Sequence, residues 1–130
     1  MSIYLSNVTD RIAAWVTSRL GREVLVDRKE RATRLVEEAI ELAQAEGVDI
    51  DVISRVANRV YERPVGDPRQ EAAGVSVCLI AYCFAADLHP IAIAEAEILR
   101  VEHVPAEVTR AKHAEKVRAG TSMPRQNGEG

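Results

Sequence analysis

A run of uncharged residues from Ala72 to Ala86, set behind a strong helix start, leaves this chain few folds to choose from. Asp67 is suited to cap the helix, Pro68 to its first position, and Gln70 to completing a capping box. Beyond them Ala72, Ala73, Val75, Val77, Leu79, Ile80, Phe84 and Ala85 place apolar side chains on every face. A helix without a polar side must be surrounded. It is shorter than the ~18 residues that suggest a membrane span, so the surroundings are expected to be protein. The sequence therefore predicts a buried core helix. The other short helices are too few to enclose it within 130 residues. A homo-oligomer with this helix at or near the interface follows, a dimer being the simplest case.

Helical periodicity runs through the rest of the chain. A first helix is predicted from about Val8 to Leu20, with Ile12, Trp15, Val16 and Leu20 on one face and Gly21 closing it. A second starts at Asp27, which forms a capping box with Glu30, and ends before Gly47. Asp49 caps a third, to about Glu62, and Arg63-Pro64 stops it. The uncharged helix is the fourth. His89-Pro90 begins a fifth, to about Glu102, and Val104-Pro105 a sixth, ending at Gly120. No strand-like alternation appears. The expected fold is an all-α bundle of about five to six helices in a single domain over residues 1–120, with 121–130 a flexible tail.

Seventeen basic and twenty acidic residues are intermixed, for a net charge of −3. Without a basic stripe, a DNA partner is not expected. No apolar segment follows a basic start, so the reading is a cytoplasmic protein with no membrane partner. Cys78 and Cys83 stand five apart on one helix and cannot bridge each other, so both are expected as reduced core thiols. Trp15 reads as core and His89 as a helix-boundary residue. His103 and His113 accompany no nucleophile pattern, and no G-x-S-x-G, P-loop or H-E-x-x-H is present.

The chemistry lies in carboxylates. On the second helix, Leu35, Val36, Ala39, Ile40, Leu42 and Ala43 form an apolar stripe, with Glu38 and Glu41 about 60° apart on its flank. Arg34 projects between them, Arg31 lies beside Glu38, and Glu37 falls nearer solvent. The plain alternative is an Arg34–Glu38 surface pair worth a few tenths of a kcal/mol. Glu71, the one charged residue between Arg69 and Asp87, opens the uncharged helix; it either complements the helix dipole or meets Glu38 and Glu41 across a cleft. Three converging carboxylates repel unless a cation lies between them, and a hard cation such as Mg²⁺ suits oxygen ligands. Lys112 and Lys116, one turn apart on the sixth helix, with Arg31 and Arg34, are candidate phosphate contacts, or else solvated charges.

The stretches from Arg31 to Gln44 and from Gly66 to Val75 resemble the MazG-like all-α nucleoside triphosphate pyrophosphohydrolases. Those proteins carry an ExxE on one helix and an ExxD at the start of the next long one. Glu38 and Glu41 match the first motif and Glu71 the opening of the second, while Gly74 stands in place of its aspartate. The likeness covers roughly Trp15 to Arg118. It implies Mg²⁺-dependent hydrolysis between the α- and β-phosphates, with Mn²⁺ a possible substitute, giving a nucleoside monophosphate and pyrophosphate in a housecleaning role. It implies Glu38, Glu41 and Glu71 as metal ligands and Glu41 or Glu37 orienting the attacking water. Lys112 and Lys116 then serve as phosphate contacts in a dimer or dimer of dimers. Asp67, Glu37 or Asp87 are the candidates to compensate for Gly74. The alternative expectation is a catalytically weakened or inactive regulatory bundle that binds nucleotide or metal.

Overall fold

A computed structural model describes residues 3–122, with side chains from residue 7 onward. Among these residues the chain is all-α, with no strand. Seven helices follow one another: α1 (Ile3–Leu20), α2 (Arg22–Val26), α3 (Arg28–Ala45), α4 (Ile50–Tyr61), α5 (Pro68–Ala85), α6 (Pro90–Glu102) and α7 (Ala106–Arg118). The chain divides into two compact units. One combines the residues up to Glu37 with those from Ile93 onward; the other is Glu38–Ala92.

The helix boundaries follow local chemistry. Asp49 accepts a hydrogen bond from the Val52 amide at the start of α4, and Asp67 one from Gln70 at the start of α5. Such caps are worth about 1 kcal/mol each. The Ala92 amide donates to His89 Nδ1, so the boundary histidine is itself a side-chain cap for α6. Gly21 ends α1 with φ 91°, in the left-handed region that glycine tolerates. The sequence reading missed α2, which is too short to show a period.

In the first unit α1 packs against α2 and α7, and the buried apolar residues are Val8, Val16, Val24 and Ile98. Trp15, expected as core, is half-buried, and its Nε1 donates to the Val101 carbonyl at 3.1 Å. Arg19 lies over the Trp15 ring and donates to the carbonyls of Glu102 and Val104, which satisfies the end of α6.

The Glu38–Ala92 unit departs from expectation. Cys83 is its only buried residue. Along α5, Val77 is 66% exposed, Ile80 57% and Phe84 90%, so the uncharged helix is not enclosed by its own chain. An all-round apolar helix needs neighbours on every side, and the chain supplies too few. Cys78, expected in the core, is exposed for the same reason; both cysteines are free. On α3 the expected stripe is also open, with Leu35 48%, Val36 57% and Ile40 40% exposed. Tyr82 Oη donates to Glu46 Oε1 at 3.0 Å, tying α5 to the end of α3.

Thr121 and Ser122, expected to open the tail, are instead anchored: Ser122 is buried and Arg34 donates to the Thr121 carbonyl. The remainder of the expected tail, 123–130, lies outside the described residues.

No single helix among the described residues is long and apolar enough to cross a membrane.

Candidate functional site

In the Glu38–Ala92 unit, Glu38 and Glu41 lie about one turn apart on α3, both exposed. Glu71 sits in the first turn of α5 and is exposed too. Its carboxylate folds back over the preceding loop, where a Cβ built on Gly66 would overlap Glu71 Oε1. The negative charge therefore lies near the positive end of the α5 dipole. Among the described residues, no three Asp, Glu, His or Cys side chains gather into a group able to hold a metal ion. The structure thus does not draw Glu71 together with Glu38 and Glu41 into one site.

Glu38 and Glu41 remain a pair of carboxylates on an exposed helix face. Mg²⁺ commonly takes one or two carboxylates with substrate phosphates and keeps several waters, so the donor set fits it as a pair and not as a three-carboxylate cage. At Gly74 an added Cβ would meet nothing within 4 Å, leaving open space where the resemblance has an aspartate.

The other unit holds a network of charged side chains that the sequence reading did not assemble. Glu30, only 2% exposed, accepts a 2.7 Å hydrogen bond from Ser122 Oγ through Oε2. Its Oε1 lies 3.3 Å from Arg34 Nε and 3.6 Å from Arg31 Nη2. Arg34 Nη1 donates to Glu37 Oε2 at 2.5 Å, and Lys116 Nζ lies 2.9 Å from Glu37 Oε1. Buried charges persist when paired in this way.

These contacts reverse one expectation. Glu38 and Glu41 were to border the core and Glu37 to face solvent, yet Glu37 is the partly buried one and the other two are exposed. The packed face of α3 at this end carries Glu30, Arg34 and Glu37, at i, i+4 and i+7, instead of the apolar stripe. That spacing is the available signal, carried by charged residues in place of apolar ones. Arg34, a candidate phosphate contact, pairs with Glu30 and Glu37, and Lys116, another, pairs with Glu37. Arg31 is partly exposed and Lys112 exposed.

The hydrogen bond from Lys116 is the main cause holding the Glu37 carboxyl below its usual value, with Arg34 adding to it. Burial, opposed by Glu30, pushes the Arg31 guanidinium down. A depressed carboxyl contributes stability that is complete above its unfolded pKa, about 4.3, and lost as pH falls through the lower folded value. Glu37→Gln is therefore expected to lower Tm at pH 7, with the gap from wild type closing as pH drops below about 4. A gap unchanged at pH 3 in thermal melts would contradict this.

Compared with known proteins, the chain matches no family model, and no curated protein or solved structure matches it.

Proposed function

We propose that this chain is a Mg²⁺-dependent nucleoside triphosphate pyrophosphohydrolase, cleaving between the α- and β-phosphates to release a nucleoside monophosphate and pyrophosphate. The observation that carries the reading is the exposed Glu38–Glu41 pair on α3 of an all-α chain. Its support is the resemblance of that pair, and of Glu71 in the capped first turn of α5, to the MazG-like signature.

Glu38 and Glu41 would hold the ion. Bound there, Mg²⁺ supplies a Lewis acid for phosphate oxygens and neutralises charge. Glu41 is the better placed to orient the attacking water, since both oxygens of Glu37 already accept from Lys116 and Arg34. Of the candidate phosphate contacts, Lys112 is the exposed one, and Arg31 is partly exposed beside Glu30. Mn²⁺ is the expected substitute ion, and a dimer or dimer of dimers the expected assembly.

The deciding experiment is pyrophosphate release across a panel of nucleoside triphosphates with Mg²⁺ and with a chelator. Release with at least one nucleotide, abolished by chelation, is expected; background release throughout would sink the enzyme reading. Gly74 favours a second reading, an inactive regulatory bundle that still binds nucleotide or metal. In that case Mg²⁺ or nucleotide raises Tm while no pyrophosphate appears.

A further inference from the structure

Glu30 has no role in the reaction outlined above, yet it is among the most completely buried side chains of the molecule. A carboxylate removed from water needs partners: Oε2 of Glu30 accepts a hydrogen bond, and Oε1 lies within ion-pair range of two arginines. Oε2 receives the Ser122 hydroxyl at 2.7 Å, and Oε1 faces Arg34 at 3.3 Å and Arg31 at 3.6 Å. Ser122 is itself 2% exposed and comes from the segment after α7, far along the chain.

The two arginines are held differently. Arg34 turns Nε toward Glu30, Nη1 toward Glu37 and Nη2 toward the Thr121 carbonyl. Its fork is engaged with protein on three sides, so it cannot clamp a phosphate without giving up a partner. Arg31 approaches Glu30 through Nη2, and its side chain remains 32% exposed. The ion pairs join three cations, Arg31, Arg34 and Lys116, to two carboxylates, Glu30 and Glu37, and Asp27 acts on Arg31 as a further negative charge.

We infer that Glu30 is a positioning residue: fixed by Ser122, it holds Arg31 as the cation that meets a polyphosphate, with Arg34 as its strut. The inference rests on the reading of the chain as an enzyme or binder of nucleoside triphosphates. It assigns the short segment after α7 a purpose, since Thr121 and Ser122 bring Arg34 and Glu30 partners from outside α3.

Two effects of Glu30 on an anion have opposite signs, which makes the idea testable. Deleting its negative charge without disturbing Arg31 would tighten anion binding, because a repulsive charge is lost. Deleting it while releasing Arg31 would weaken binding, because the cation must be ordered again on arrival. The probe is inorganic tripolyphosphate, titrated calorimetrically into the full-length protein without added metal. Glu30→Gln is expected to raise Kd about tenfold, and Ser122→Ala, which changes no charge, about threefold. Circular dichroism and thermal melts check folding; should Glu30→Gln fail to fold, Ser122→Ala decides alone.

Unchanged or tighter binding in the folded variants overturns the inference, as does a wild type that does not bind tripolyphosphate. A wild type that binds it, weakened in the variants as stated, yet releases no pyrophosphate leaves Glu30 in its role and removes only the hydrolase.

Discussion

Phe84→Glu is expected to turn a self-associated protein into monomers of 14.3 kDa, seen as at least a halving of mass by light scattering. The argument starts from burial. The Glu38–Ala92 unit has one buried residue, while Val77, Ile80, Phe84, Ile50 and Tyr61 are each more than half exposed. Phe84 and Tyr61, both 90% exposed, alone offer on the order of 300–400 Å² of surface, against about 800 Å² per partner in a standard interface. A second copy presenting the same uncharged helix is the complement we propose. Burying one phenylalanine contributes about 1.5–3 kcal/mol, and a two-fold interface counts each substitution twice. Losing both rings and burying two carboxylates should weaken association by roughly a thousandfold or more. A wild type of monomeric mass at about 100 µM would end this account of α5.

Glu38→Gln should reduce pyrophosphate release at least about a hundredfold while leaving the helical signal intact. The position is exposed, so the amide is expected to leave the fold in place. What it removes is one of the two carboxylates on the exposed face of α3. The companion change is Gly74→Asp, which adds an acidic side chain one turn beyond Glu71 into open space. Nothing there resists a Cβ, and aspartate is no worse than glycine within a helix. Higher Mg²⁺-dependent release is expected from it. Release unaltered by Glu38→Gln would take that residue out of the reaction.

The helix starts were legible because they depend on neighbours in sequence. Asp49 and Asp67 cap α4 and α5 as their spacing indicates, Pro68 and Pro90 open α5 and α6, and Gly47 and Gly120 lie just beyond helix ends at positive φ. The side that each helix packs was harder to read. The wheel for α3 assigned the inner face to apolar residues, and the face that is buried at its start is charged, because Ser122 and Lys116 arrive from the other end of the chain. No local pattern announces such a partner. Likewise the spacing of Glu38, Glu41 and Glu71 specified which helices they occupy but not a convergence, which depends on what surrounds α5. The uncharged run gives its helix no polar side, yet the burial expected for it is not found: Val77, Ile80 and Phe84 stand open.

The two cysteines of α5 give the molecule its own reporter. Cys83 is 1% exposed and Cys78 is exposed, five residues apart on the same helix. A thiol reagent meets one sulfur readily and the other only when the helix opens, so labelling separates local unfolding from docking without any mutation. Protection gained at Cys78 alone signals that something has settled on the helix; reactivity gained at Cys83 signals that the helix has come apart.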